Sequence, residues 1–175
     1  MEKIALIRPS IKYKNQIKSY RQEFIDNHEH MDGSSLLINY EDITEWIKAT
    51  KRGRKLATVN KGWVPADAYM AIRKCDNQLV GMIDIRHYLN DYLLRIGGNI
   101  GYSVRASERR KGYAKEMLRL ALLKCRKLDL EKVLITCFKH NIASAKTIIA
   151  NGGILENEIT DEDGITQRYW IFTTK

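Results

Sequence analysis

Two kinds of hydrophobic pattern alternate along the chain. Continuous or alternating apolar runs predict strands, because successive side chains of a strand point to opposite faces. These runs cover residues 4–8, 68–75, 78–88, 99–104, 132–138, 154–158 and 166–173. Apolar residues at helical spacing predict helices over residues 12–27, 41–50, 113–128 and 141–151. The glycine-containing segments 51–67 and 89–98 are predicted to be long connections between these elements.

A basic turn precedes the helix with the clearest periodicity, residues 113–128. The turn reads Arg109-Arg110-Lys111-Gly112-Tyr113-Ala114 and follows the predicted strand 99–104. The first amides of a helix have no partner inside the helix, and the helix dipole adds positive charge there. Gly112 lets the backbone approach a ligand closely. The turn therefore predicts a binding site for a phosphate-bearing anion such as a pyrophosphate.

Length and composition predict a globular protein of one domain, residues 1–175. No run approaches the roughly 20 apolar residues of a membrane span, and the first residues are too short for a secretory signal. We therefore expect a cytoplasmic location and no membrane partner. Cys75, Cys125 and Cys137 lack the spacing of metal ligands, so we expect no metal, and two of the three lie in apolar patterns that predict buried thiols.

The net charge of +9 favours an anionic partner. A phosphate-bearing cofactor and a nucleic acid are both consistent with that charge. The densest basic segment, residues 51–55, contains a glycine and reads as a loop. Aromatic residues do not alternate with a basic stripe, so we expect no nucleic-acid partner; a nucleic-acid-binding module would show steeply salt-dependent affinity.

The pattern Arg-x-x-Gly-x-Ala at Arg109–Ala114 resembles the acyl-CoA-binding signature of the GNAT N-acetyltransferase superfamily. The predicted order of strands and helices is similar to that of the superfamily over essentially the whole chain. The resemblance implies an α/β (α+β) fold. Its centre is a mixed, mostly antiparallel sheet of about seven strands that splays between the fourth and fifth strands, flanked by about four helices.

The resemblance also implies which residues bind acetyl-CoA. The basic turn would hold the pyrophosphate, and the backbone of the fourth strand would bond the pantetheine arm. Lys139-His140-Asn141-Ile142-Ala143-Ser144 resembles the superfamily's Asn-x-x-Ala/Ser element, in which the Asn side chain contacts the same arm; a plain helix N-cap is the alternative role for this Asn. The implied contacts are Tyr102, Ser103, Val104, Arg109, Arg110, Lys111, Gly112, Tyr113, Ala114, Asn141 and Ser144.

Catalytic residues are harder to assign from the resemblance. Many relatives carry a tyrosine seven residues after that Asn, to protonate the leaving thiolate, and here the position is Ile148. Ser144 is the expected substitute. His87 is the expected general base, since histidine titrates near neutral pH. Asp84 lies on the same strand but faces the opposite side. Further candidates are Glu23, Asp26, His28, Glu29, His30, Glu158 and Tyr169. We expect Cys137 to be part of the core or the cleft wall.

The resulting hypothesis is an N-acetyltransferase that moves an acetyl group from acetyl-CoA directly to a primary amine in a ternary complex. The alternative is an acyl-CoA-binding sensor or a catalytically inactive relative, which the missing tyrosine favours. The amine acceptor, the length of the acyl group and the choice between monomer and homodimer stay open.

Overall fold

Seven strands and four α-helices form within the described residues, 2–173, of a computed structural model. The strands are β1 (Ile4–Ile7), β2 (Ala66–Arg73), β3 (Leu79–Arg86), β4 (Ile100–Val104), β5 (Lys132–Phe138), β6 (Ile154–Asp161) and β7 (Gly164–Phe172). The helices are α1 (Lys14–Asp26), α2 (Ile43–Arg52), α3 (Tyr113–Arg126) and α4 (Ile142–Ile149). The order along the chain is β1-α1-α2-β2-β3-β4-α3-β5-α4-β6-β7.

The strands form two sheets that adjoin between β4 and β5. One sheet has the order β1-β2-β3-β4 and the other the order β5-β7-β6. Every strand pair found within residues 2–173 is antiparallel. The predicted fold class and the break between the fourth and fifth strands are therefore confirmed.

A hydrophobic core lies on each side of the four-stranded sheet. Side chains of α3 and α4, among them Met117 and Ile148, pack on one face together with residues of β5 and β7. Side chains of α1 and α2, among them Phe24 and Trp46, pack on the opposite face. The alternating side chains of the strands supply both cores, which explains why β2 and β3 are apolar along most of their length.

The predicted elements all exist, with shifted ends. The largest difference is the last hairpin, where β6 runs to Asp161 and β7 begins at Gly164. The Asp161 carboxylate accepts the Asp163 N–H at 3.1 Å, and Gly164 adopts a φ of +128°. This tight turn lets pairing continue through residues that the sequence pattern assigned to a loop.

The connection 89–98 is also more regular than predicted, because Leu93–Gly97 forms a short π-helix. Two of the three cysteines, Cys125 and Cys137, are buried, as predicted, and Cys75 is exposed. Among residues 2–173, no helix has the length and apolar character needed to cross a membrane.

Candidate active site

The gap between β4 and β5 is closed at one end by Asn99. The Asn99 N–H donates to the Leu134 carbonyl at 2.7 Å, and the Leu134 N–H donates to the Asn99 side-chain oxygen at 2.8 Å. Asn99 is 3% exposed, and its amide nitrogen also donates to the Arg86 carbonyl at 3.2 Å. The two sheets are thus joined at this point and diverge beyond it.

Past Asn99, one edge of β4 has backbone groups without a strand partner. The Arg86 N–H donates to Asn99 O, and the Arg105 N–H donates to Val80 O, so odd-numbered residues of β4 pair with β3. Antiparallel pairing alternates, so Tyr102 and Val104 direct their N–H and C=O groups toward the gap. The Ser103 backbone, which the sequence also suggested as a contact, is directed toward β3.

The facing edge of β5 is unpaired in the same way. Lys139 N–H donates to Ile165 O and Thr173 N–H donates to Glu131 O, which assigns the odd-numbered residues of β5 to pairing with β7. Thr136 and Phe138 therefore direct their backbone groups toward β4. The gap is lined on both sides by main-chain donors and acceptors, which suits a ligand that itself carries amides.

The basic turn lies at the start of α3, as predicted. Gly112 is the residue before the helix, with a φ of +83°, and no side chain from the described residues caps that helix start. Tyr113 is 3% exposed and its side chain packs in the core, so that side chain is not available to a ligand. The uncapped helix start retains the electrostatic character of an anion site.

Arg109, which the sequence assigns to the phosphate site, has partners for its guanidinium within the protein. It donates to Val104 O at 2.9 Å and to Glu29 at 2.7 Å, and it lies over the Phe24 ring. The Glu29 pKa is lowered because Arg109 hydrogen-bonds its carboxylate. Arg109 therefore ties the turn to the end of α1.

The other two basic side chains of the turn are exposed. Lys111 donates to Glu108 at 2.9 Å, while Arg110 has a φ of +60° and a solvent-facing side chain. Arg110 is the cation of the turn best placed to meet a phosphate.

Asn141 and Ser144 lie together at the start of α4. The Asn141 side-chain oxygen accepts the Ser144 N–H at 3.0 Å, so Asn141 caps the helix. Its amide nitrogen stays exposed, and the capping and cofactor roles are compatible.

The side chain of Tyr102 crosses from β4 to α4. Its hydroxyl lies 2.8 Å from Ser144 Oγ. Burial raises the Tyr102 pKa, against a lowering by the hydrogen bond with Ser144. Burial likewise raises the pKa of the nearby Cys137 thiol, against a lowering by Ser144. Neutral hydroxyl and thiol groups thus line this side of the gap. Ile148 is fully buried in the core, so the position where many relatives carry a tyrosine cannot supply a proton here.

On the opposite face of β4, the loop between α1 and α2 lies directly on the strand. A Cβ on Gly33 would be 2.1 Å from Gly101 O, and Gly33 has a φ of +67°. Ser103 Oγ donates to the Asp32 carbonyl at 2.5 Å and accepts from the Tyr20 hydroxyl at 3.1 Å. The loop is therefore fixed to the strand by backbone contact and by buried hydroxyls.

Asp32 and Asp84 place carboxyl groups on this face. Asp84 is 5% exposed; its Oδ1 accepts the Gly101 N–H at 3.3 Å and lies 3.4 Å from an Arg86 guanidinium nitrogen. The Asp32 side chain keeps exposed surface, yet surrounding protein raises its pKa by desolvation. Sequence reasoning missed Asp32; its only local signal is the Asp-Gly pair in a loop.

His87 lies apart from this gap. Its ring nitrogen Nε2 is 3.2 Å from Asp67 Oδ2, and its N–H donates to Pro65 O at 2.8 Å. Asp67 also accepts from Arg8 and Arg54. These contacts fix His87 against β2, so the structure does not bring it together with Ser144.

The remaining candidate bases have other partners or other positions. Glu23 accepts from Arg105 at 2.6 Å and from the Ser107 N–H at 3.0 Å. Burial alone would raise the Glu23 pKa, but these bonds outweigh it and lower the pKa. Asp26 accepts from Gln22 on its own helix. His28 is exposed after α1, and His30 lies close enough to Asp32 to lower its pKa.

The last hairpin contributes little to the gap. Glu158 is exposed and accepts from Lys139 at 2.8 Å. The Tyr169 hydroxyl donates to Gln167 at 2.8 Å, and burial raises its pKa. Among residues 2–173, no group of three or more His, Cys, Asp or Glu side chains is arranged to hold a metal ion.

Three solved structures with the same fold are distant in sequence. A ribosomal-protein-S5-alanine acetyltransferase from Vibrio fischeri is 14% identical, with a TM-score of 0.67 over 98% of this chain and 93% of its own. A spermidine N-acetyltransferase SpeG variant from Vibrio cholerae is 13% identical, with a TM-score of 0.64 over 98% and 95%. The microcin C7 self-immunity acetyltransferase MccE, solved with acetyl-CoA and AMP, is 16% identical, with a TM-score of 0.65 over 98% and 93%.

No curated protein sequence matches the chain significantly. The family described as acetyltransferase (GNAT) domain matches residues 17–153. That match covers more than half of the chain and contains β4, the basic turn and the start of α4. The chain therefore belongs to the GNAT acetyltransferase family.

Proposed function

We propose that the protein transfers an acetyl group from acetyl-CoA to a primary amine by direct transfer in a ternary complex. The observation that supports this most is the gap between β4 and β5. It is closed at Asn99, lined by backbone groups without a strand partner, and followed along the chain by an uncapped, basic helix start. Those features fit the amides and the phosphates of one extended ligand.

Acetyl-CoA supplies the activated acetyl group as a thioester, and distinct parts of the chain would hold it. The backbone of Tyr102, the Val104 N–H and the exposed Asn141 amide would bond the pantetheine arm. The amides of residues 112–114 and the Arg110 side chain would bind the phosphates. This arrangement would accelerate the reaction chiefly by proximity and orientation.

Ser144, with the Tyr102 hydroxyl behind it, would protonate the departing thiolate. Burial raises the Tyr102 pKa, so that hydroxyl keeps its proton over the physiological range. The thiolate gains one proton from this pair as the C–S bond breaks, and the pair is restored from solvent. The expected contribution is about 100-fold, at the low end for general acid catalysis, because a thiolate is already a good leaving group.

The acceptor class is a primary amine. Relatives of the same fold carry names that specify a ribosomal-protein alanine and spermidine. These two amines, a peptide N-terminus and a polyamine, are therefore the first to test. Binding of acetyl-CoA without turnover is the second candidate function, and it is favoured by the burial of Ile148 where many relatives place a tyrosine.

The first test is thermal stabilisation by acetyl-CoA of the native protein and of Gly112→Asp. A ligand at 100 times its dissociation constant stabilises the fold by about 2.7 kcal/mol. Gly112→Asp combines a strained positive φ with a negative charge at the anion site, so we expect no stabilisation in this variant. Gly152→Asp is the matched control, because Gly152 has a φ of +88° after α4.

Equal stabilisation of all three proteins would contradict the placement of the phosphates. CoA release on an alanine-ended peptide and on spermidine would then separate transfer from binding alone. Stabilisation without release on any amine of a broad panel would favour the second candidate function.

A further inference from the structure

Asp32 lies on the loop that covers one face of β4. Gly33 lies on the backbone of Gly101 and Tyr102, with a hypothetical Cβ 2.6 Å from Tyr102 Cα. Tyr102 is the residue whose backbone faces the gap. The Asp32 carbonyl is held by Ser103 Oγ, the next residue of the same strand. Asp32 is therefore fixed beside β4, on the face opposite Ser144.

The Asp32 carboxyl has no hydrogen-bond donor within residues 2–173. Other acidic side chains on this face are occupied: Asp84 by the Gly101 N–H and Arg86, and Glu23 by Arg105 and Ser107. Asp32 also keeps exposed surface, so an incoming ligand can reach it. A reachable and unpaired carboxyl beside the reacting strand has the geometry of a proton acceptor.

Titratable or charged groups from three elements lie near Asp32. His30 lies on the same loop, Asp84 and Arg86 come from β3, and Tyr102 comes from β4. Desolvation raises the Asp32 pKa, and Asp84 adds to this, while His30 and Arg86 lower it. A raised pKa brings a carboxylate closer to the operating pH, where a general base is most effective.

We propose that Asp32 is the general base that accepts the proton of the acceptor ammonium. This inference rests on the proposed acetyltransferase function. The ammonium gives one proton to Asp32, and the freed lone pair forms the C–N bond to the thioester carbonyl carbon. The C–S bond then breaks, its electron pair stays on sulfur, and the sulfur takes a proton from the Ser144–Tyr102 pair. The nitrogen loses its second proton to solvent, solvent restores the pair, and Asp32 releases its own proton to solvent, so that the reaction yields the thiol and one free proton.

The test is the pH dependence of kcat/KM for Asp32→Asn, with a peptide whose N-terminal residue is alanine as acceptor. Near pH 7 we expect a loss of about 100-fold or more. The loss should shrink above a pH of about 8, because the N-terminal ammonium of the peptide then loses its proton in solution and the neutral amine needs no base. In the native protein the activity should fall as the pH drops through the raised Asp32 pKa, and this limb should be absent in the variant.

Asp163→Asn, at the exposed tip of the last hairpin, removes the same charge and should keep kcat/KM within about twofold. Acetyl-CoA should stabilise Asp32→Asn as much as the native protein. A loss of kcat/KM that is the same at every pH, or no larger than that of Asp163→Asn, would overturn the base role of Asp32. It would leave the proposed acetyltransferase function standing. A native protein that binds acetyl-CoA but acetylates no amine would overturn the proposed function, and the base role with it.

Discussion

The two faces of β4 offer opposite chemistry. On one face Tyr102 reaches Ser144, and Cys137 lies close by, so neutral proton donors line the gap. On the other face Gly101 admits the loop that carries Asp32, an unpaired carboxyl. Alternation of side chains along a strand separates the two sets, although their residues are neighbours in sequence. One short strand can thus serve a step that takes a proton and a step that gives one.

The largest expected effect comes from Gly33→Ala, which would push the Asp32 loop off β4. The added Cβ would lie 2.1 Å from Gly101 O, so the loop or the strand has to move. We expect the free energy of unfolding to fall by about 3 kcal/mol or more in urea titration, because clash and backbone strain add.

Gly62→Ala is the control for strain alone. Gly62 has a φ of +85°, and a Cβ there would meet nothing within 4 Å. Gly62→Ala should lower the free energy of unfolding by only about 1–2 kcal/mol. Equal costs at the two positions would mean that the loop does not press on β4.

The next largest effect is the loss of activity expected from changes on the face of β4 where Tyr102 meets Ser144. Ser144→Ala should lower kcat by about 100-fold if it delivers the proton, with acetyl-CoA stabilisation unchanged. Tyr102→Phe should give a smaller loss, since it acts through Ser144. The double variant should be no worse than Ser144→Ala, because groups that act as a unit are not additive. Additive losses in steady-state kinetics would argue against a shared proton path.

The smallest effects concern the ion pairs that join α1 to the segment before α3. Glu23→Gln should cost about 1.5 kcal/mol, since it weakens charge-assisted bonds to Arg105 and Ser107. Glu29→Gln should cost less than about 1 kcal/mol, because its pair with Arg109 is more exposed.

Urea titrations at several pH values test the sign of the Glu23 effect. The folded state lowers the Glu23 pKa, so its stabilisation is present above the pKa of the unfolded chain. It is lost as the pH falls through the lower pKa of the folded protein. If Glu23→Gln still lowered the free energy of unfolding in strong acid, the Glu23 side chain would stabilise the fold by packing and not by its charge.

The elements with strong periodicity were predictable from sequence. The bounds of β5, residues 132–138, and the start of α3 at Tyr113 agree with the pattern. The ends of a buried strand and of an amphipathic helix can be predicted from sequence, because the pattern of buried side chains stops where the element stops. The break between β4 and β5 followed from the resemblance, since strand pairing is not written in any single strand.

Contacts across the chain could not be predicted. Tyr102 meets Ser144 across 42 positions, and Glu29 meets Arg109 across 80. His87 was a reasonable candidate base because a histidine at that strand end lay within plausible reach of the cleft, but its contact with Asp67 on β2 fixes it elsewhere. Asp32 lies in a segment without periodicity, where only tertiary packing decides which residues lie against β4. Propensity and pattern describe neighbours in sequence, and these sites depend on neighbours in space.

The facing edges of β4 and β5 also bear on solubility. Unpaired strand edges usually invite other chains to add a strand, which leads to aggregation. Here the two open edges are turned toward each other inside one molecule, and the bonds at Asn99 and Leu134 keep them so. A foreign strand would have to enter a wedge that narrows to a closed end, whereas a thin amide-bearing chain can occupy it. The geometry that favours a linear ligand therefore also protects the protein from aggregation by strand addition between copies.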